Sequence, residues 1–363
     1  MAGVTTYDCV LRQLITPEQQ QAFFANKNSL HDPYHFSGVA DVHEVYDAVD
    51  PLKNPKLSQE GKVVFLTGAN RGSRVKGQDQ ESLFLRIFFW RWSSQFLTNE
   101  NTVLPHKYIA DLQSFDAKGI AIAFAKAKAK GLILAARDLS KLEQVEKEIN
   151  DAYPDTKVLA IKTDVTSESD VKAAFAKAIE TFGAVDVAIH NAGINHDHAP
   201  ITKTELSGWW EHYEIHVKGL WLVAREFLLA LGDKVGTLIN ISSTAAISAF
   251  PTQVGYSPSK LAGNRMIEIL QVDYPNARVF NLHPGVVDTE LTTLHHVAQM
   301  GFNMDSPELS GGAALFLTTP DAEFLRGRWV SANWQVDDLV KQREVVVKEH
   351  LFVTGLSGKL GAE

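Results

Sequence analysis

Six short, almost wholly apolar runs recur through the middle of this chain: "KVVFLTG", "GLILAARD", "KVLAIKTDV", "VDVAIHNAG", "GTLINISS" and "ARVFNLHPG". Between them stand stretches with helical patterning, such as the Ala-rich "KGIAIAFAKA". A strand with one face in water alternates apolar and polar residues, whereas a strand covered on both faces does not need to. Continuous apolar strands separated by helices therefore predict a parallel sheet with helices on both faces, a doubly wound α/β domain. This single main domain spans residues 61–334. Ahead of it, residues 1–60 are polar, carry Pro33, Pro51 and Pro55 and hold no sustained period, which predicts an arm or peripheral cap. Behind it, residues 335–363, with "VDDLVKQREVVVKEH", predict a surface helix and a tail.

Ligands of such sheets bind beyond the carboxyl ends of the strands, so strand-end residues carry the functional signal. The first strand ends in "TGANRG", Thr67 to Gly72. A glycine-rich turn lets the backbone approach a pyrophosphate, whose charge the amides of the next helix stabilise. Taken alone, an ordinary glycine-containing turn explains it equally well. The third strand ends in Asp164 and Val165, the fourth in "NAG", Asn191 to Gly193, and the fifth in "NISS", closing on Ser243. Then comes "YSPSK", in which Tyr256 and Lys260 stand four apart and share a helix face. The sixth ends in "HPGVVDT", Pro284 to Thr289. Tyrosine, with a pKa near ~10, gives up its proton at neutral pH only with help, and a nearby ammonium favours the phenolate. Lys260 is placed to supply it.

TGxxxG, NAG, a serine followed by YxxxK, and PGxVxT occur here in one order, and over about residues 61–332 the chain resembles the short-chain dehydrogenase/reductase family. The resemblance implies a Rossmann-like fold and a nicotinamide dinucleotide that exchanges hydride between a ketone and a secondary alcohol. It makes Ser243, Tyr256 and Lys260 catalytic: Tyr256 protonates the developing alkoxide and Ser243 donates a hydrogen bond to the same oxygen. It sets Thr67, Gly68, Asn70, Arg71, Gly72, Asp164, Val165, Asn191, Ala192, Gly193, Pro284, Gly285, Val287 and Thr289 along the cofactor, with Tyr256 and Lys260 shared. The stretch "SPELSGGAALFLTTPDAEFLRGRWVSANW" is similar to fungal members, which suggests secondary metabolism. The family also implies a homodimer or homotetramer through the helices of "GWWEHYEIHVKGLWLVAREFLLAL" and "YSPSKLAGNRMIEIL".

The chain departs from the family's pattern twice. Many members carry an asparagine in the helix after the fourth strand, where it helps position a water near the catalytic lysine. Here "EIHVKGLW" puts His216 at that place, a residue that can hold a water or simply pack. The second departure interrupts the glycine turn. The family's turn runs TGxxxGIG directly into an Ala-rich helix, but here Ser73 to Ala117 replaces the Ile-Gly and Arg74 stands where the last glycine belongs. The stretch has an aromatic cluster and no clear period; it reads first as a translated intron, second as a lid or membrane-contacting insertion. Its closure entropy, about 2 to 3 kcal/mol, is small enough for the fold to survive. Two functional expectations follow: a working oxidoreductase, or a chain that keeps the fold, binds no cofactor and serves at most as an interaction partner; with the turn interrupted, the chain as written is expected to bind NADPH weakly or not at all.

The second strand ends in Ala136 and Arg137, where NAD-using relatives tend to carry an acid. With Arg71 in the turn, two guanidiniums suit a 2'-phosphate and favour NADP over NAD; the alternative is two ordinary surface arginines. His190, His196 and His198 cluster in "HNAGINHDH" without a matched carboxylate or cysteine set, so no metal is expected and the loop borders the substrate instead. A net charge of −8 offers no general attraction for nucleic acid or anionic membrane. The longest apolar stretch, "LFLRIFFWRW", is too short and too interrupted to span a bilayer. A lone cysteine, Cys9, and an N-terminus without a secretory pattern predict a cytoplasmic location.

Overall fold

The computed structural model describes residues 39–69, 117–196, 199–287 and 304–355. Asn70, Arg71, Gly72, His198, Thr289 and residues 73–116 of the stretch that interrupts the turn lie outside the described residues. All six apolar runs form strands: β1 Val63–Thr67, β2 Gly131–Ala136, β3 Lys157–Lys162, β4 Val187–His190, β5 Gly236–Ile241 and β6 Ala277–His283. A seventh, β7 Trp329–Ser331, is too short to announce itself in the sequence. The order is β3-β2-β1-β4-β5-β6-β7, and every pairing is parallel. The chain reverses its direction of travel between β1 and β4, which is where a doubly wound sheet opens a crevice at its carboxyl edge.

The helices are α1 Ala117–Lys126, α2 Leu139–Ala152, α3 Glu168–Phe182, α4 Leu206–Tyr213, α5 Leu220–Leu231, α6 Tyr256–Asp273, α7 Pro307–Leu317, α8 Val336–Lys341 and α9 Arg343–Lys348. Asp138 and Ser167 cap α2 and α3 by accepting from Lys141 N and Asp170 N, satisfying amides that a helix start leaves open. One face of the sheet packs against α1, α2 and α7, with Ile120, Phe124, Leu142 and Leu315 in its core. The other packs against α3, α5 and α6 through Phe175, Phe227 and Ile267, and Phe65 stacks on Phe175 at 4.2 Å. Between α4 and α5 the helix widens into a π-turn over Glu214–Gly219.

The terminal regions are more integrated than their composition suggests. Val39, Val49 and Leu57 are buried in the first core, and Val42 N donates to Asn333 O at 2.7 Å, so the described part of the N-terminal region is a strap across the domain. The C-terminal surface helix is instead two short helices that meet at Gln342 and bury Val336, Leu339 and Val346 in the same core. The tail then runs beside the sheet edge, where Trp329 N donates to Phe352 O at 2.8 Å.

Candidate active site

The ends of β1 to β6 and the start of α6 line the carboxyl edge. Tyr256 opens α6, and Lys260, one turn on, lies on the same buried face with Nζ 5.8 Å from the centre of the tyrosine ring. Lys260 Nζ donates to the carbonyl of Ile241, the last residue of β5, at 2.8 Å. Burial pulls the Lys260 pKa down to about 7, because an ammonium loses its hydration in the interior. The same burial raises Tyr256, and a hydrogen bond from Ser243 works against that rise by favouring the phenolate. Ser243 Oγ accepts from Ala245 N at 3.1 Å, which fixes the hydroxyl beside the tyrosine oxygen. The serine of "NISS" and the tyrosine and lysine of "YSPSK" therefore form one contiguous group.

His216 sits in the π-turn with its ring edge-on to Tyr256 at 5.5 Å. Its Nε2 accepts from Ile194 N at 2.9 Å, which identifies Nδ1 as the protonated nitrogen of the neutral ring. Nδ1–H then donates to Ser259 Oγ at 2.8 Å, and Ser259 passes its own proton to the Tyr256 carbonyl at 2.7 Å. A one-way chain of hydrogen bonds thus runs from the loop behind β4 into the first turn of α6. Burial, with the nearby Lys260 charge, holds the His216 pKa well below its ordinary value. Protonation would also turn Nε2 from acceptor to donor and set it against Ile194 N–H. Ser259, Ile194 and the neighbouring His212 were not singled out in the sequence. The only advance sign of them was the four-residue spacing of His212 and His216.

The β1–β4 end of the site is built differently. Gly68 has φ +71°, and a Cβ there would stand 3.0 Å from Asn191 Nδ2 and 3.1 Å from Ala192. No ordinary side chain suits that position. Asn191 is fully buried, yet neither Nδ2 nor Oδ1 finds a partner among the described residues. A buried amide with both ends open at the β1–β4 crevice fits a ligand rich in hydroxyl and amide groups, as a nicotinamide nucleotide is. Thr67 is also buried, and its Oγ1 accepts from Asn191 N and Ala192 N at 3.0 and 3.1 Å, tying the ends of β1 and β4 together. Val165 packs with Ala192, Ile194 and Ile215 beneath that junction. Asp164 accepts from Thr166 N and Oγ1 and so shapes its own turn. Arg137 is exposed at the end of β2. Pro284, Gly285 and Val287 continue β6 along the same edge, and Gly193 follows Asn191 there.

Among the histidines, His190 Nε2 donates to Ile215 O at 3.2 Å, and burial draws its pKa down to about 3. His196 Nε2 pairs with Glu211 at 2.9 Å, and this contact lowers the glutamate's pKa. His196 also stacks obliquely on His212, 4.6 Å between ring centres. No helix among the described residues is long and apolar enough to cross a membrane.

A family model described as "short chain dehydrogenase" matches residues 117–298, beginning at the last residue of the stretch that interrupts the glycine turn. "Short chain dehydrogenase mpl6" of Monascus purpureus is 35% identical over 324 residues, covering 86% of this chain and 94% of the relative. Among solved structures, 3-ketoacyl-(acyl-carrier-protein) reductase from Brucella melitensis, complexed with NADH, superposes with a TM-score of 0.57 at 25% identity, covering 76% of this chain and 97% of the other. The alcohol dehydrogenase of Thermococcus sibiricus, complexed with 5-hydroxy-NADP, shares the fold with a TM-score of 0.54 at 22% identity, over 74% of this chain and 95% of that one. Sequence, strand order and the converging Ser243, Tyr256 and Lys260 agree: the chain belongs to the short-chain dehydrogenase/reductase family of NAD(P)-dependent oxidoreductases.

Proposed function

We propose that this chain is an NADP(H)-dependent oxidoreductase that interconverts a small or mid-sized ketone and the corresponding secondary alcohol, in fungal-type secondary metabolism. The observation that carries the reading is the shared burial of Tyr256 and Lys260 beside Ser243. When bound, the dinucleotide supplies hydride in reduction and accepts it in oxidation. Thr67, Gly68, Asn191, Ala192, Gly193 and the strip from Pro284 to Val287 would hold it, with Asn191 supplying the open amide and Gly68 the close approach.

In reduction, the Tyr256 hydroxyl gives its proton to the carbonyl oxygen as that oxygen gains charge, and Ser243 O–H steadies the same oxygen. The phenolate left behind is favoured by the Lys260 ammonium and regains its proton from solvent by way of that group. Oxidation runs the steps backwards. His216 is a positioning residue in this reading: with both ring nitrogens engaged by Ile194 and Ser259, it aligns the first turn of α6. Arg137 and Arg71 favour the 2'-phosphate of NADP. No observation favours a chain that folds without binding cofactor.

The test is a fluorescence titration with NADPH and NADH followed by a screen of carbonyl compounds. Binding of NADPH in preference to NADH and turnover of a ketone are expected; a chain that binds neither nucleotide would overturn the proposal. A homodimer or homotetramer accompanies this reading, because Trp210, Trp221 and Val272 stand exposed on α4, α5 and α6. Light scattering that finds a monomer would remove that part.

A further inference from the structure

A buried carboxylate sits under the strip that follows β6. Only 1% of the Asp305 side chain is accessible. Its Oδ2 accepts from Val286 N, while Oδ1 accepts from Asn333 Nδ2 at 2.8 Å and from His43 Nδ1 at 2.5 Å. The backbones are joined as well: Asp305 N donates to Val286 O at 2.8 Å, and Val287 and Asp305 form a parallel bridge. Gly285, with φ +89°, completes the fit, since a Cβ there would lie 2.4 Å from Asp305 Oδ2. The carboxylate thus takes the space a side chain would need and fixes the peptide between Gly285 and Val286.

His43 arrives from the N-terminal strap, far away in sequence. It is the one ionisable group paired with Asp305 among the described residues. Its own carbonyl accepts from Ser306 N at 2.8 Å, so the strap grips both Asp305 and the residue after it. The strap has separate anchors: Val42 pairs with Asn333 in both directions, at 2.7 and 3.0 Å, and Val39, Val49 and Leu57 are buried. Removing the imidazole therefore changes the carboxylate's setting without freeing the strap.

We infer that His43 is a positioning residue for the cofactor strip: through Asp305 it fixes the Val286 amide, so the N-terminal strap sets how firmly Pro284–Val287 meets the nucleotide. The inference rests on the proposed cofactor role of that strip. A charge-assisted hydrogen bond to a buried carboxylate stabilises more than a neutral one, so its loss is felt where the carboxylate's other bonds end.

The test uses the full chain with His43→Ala and His43→Asn, the latter keeping an N–H donor close to the place of Nδ1. Amide hydrogen exchange is read at Val286 and Asp305 against core amides such as Ile239, and nucleotide affinity is read by titration with NADPH and NADH. His43→Ala is expected to speed exchange at Val286 about 10-fold, leave Ile239 unchanged and weaken nucleotide binding about 5-fold, with His43→Asn recovering much of both. The inference is overturned if Val286 exchange does not change, if exchange speeds up across the whole sheet in both variants, or if it changes while affinity does not. Were the unaltered chain to bind neither nucleotide, the functional reading would fail on its own, and Val286 exchange would still decide whether His43 fixes the strip.

Discussion

Lys260 and Asn191 are both buried polar side chains at the carboxyl edge of the sheet, yet they are treated in opposite ways. Lys260 has a carbonyl partner at 2.8 Å and an aromatic ring beside it, and the nearby His216, Ser259 and Ser243 pass hydrogen bonds along to Tyr256. Asn191 keeps both amide atoms open among the described residues and lies against a glycine that leaves no room for a side chain. The proposed reacting side is preorganised by the protein itself. The proposed nucleotide side is shaped by small residues and by hydrogen-bonding capacity that the described residues do not consume. Energy spent on fixing the reacting groups before substrate arrives lowers the barrier, whereas open capacity is useful only to a ligand that completes it.

The sharpest way to separate the two sides is Tyr256→Phe. Removing only the hydroxyl should lower turnover about 10³-fold while NADPH affinity in a fluorescence titration stays within about twofold. Lys260→Ala should harm both, and equal residual activity in the two variants would break the division. On the nucleotide side, Gly68→Ala forces a residue with a Cβ into positive φ against Asn191. NADPH affinity should fall about 10-fold or more with the fold retained by circular dichroism; unchanged affinity would mean that Gly68 does not approach the ligand. Arg137→Ala should reduce the ratio of NADPH to NADH efficiency about 5-fold, and an unchanged ratio would remove the argument for NADP.

The smallest effect concerns stability and pH. Lys260 has a folded-state pKa near 7, below the 10.5 of an ordinary lysine, so between those values the unfolded chain binds more protons than the folded one. Stability therefore gains from rising pH across that window and loses as pH falls through it. Lys260→Met should flatten the rise in Tm between about pH 7 and pH 9, a range that stops short of tyrosine ionisation. Parallel curves for the two proteins would show that the lysine is not desolvated as described.

What the sequence disclosed and what it hid divide along physical lines. Strands covered on both faces are continuous apolar runs, so β1, β2, β4 and β5 are legible over a few residues, and the half-buried edge strand β3 is legible through its apolar centre, Val158 to Ile161. Tyr256 and Lys260 were visible because helical spacing alone puts them on one face. The edge strand Trp329–Ser331 is three residues long and carries no period. The π-turn at Glu214–Gly219 departs from the 3.6-residue period by which helices are recognised, and the orientation of His216 depends on it. The pairing of His43 with Asp305 spans 262 positions, and nothing local marks either residue. The pattern of the tail predicts one surface helix, whereas Val336, Leu339 and Val346 are buried at positions that two short helices bring to the core.

The way the tail lies along β7 bears on how this chain behaves in a crowded solution. An open sheet has two edges, each a row of unpaired peptide groups onto which a foreign strand can add. At the β3 edge, Lys157 and Lys162 stand exposed at the two ends of the strand, and charge there discourages such addition. At the opposite edge, β7 is brief, Trp329 N is taken by Phe352 O, and the Arg328 guanidinium holds Leu351 O. With both margins guarded, copies of this chain can meet through helices without templating one another strand by strand. Removing the stretch that holds Leu351 and Phe352 would uncover β7 and convert an orderly protein into one inclined to aggregate.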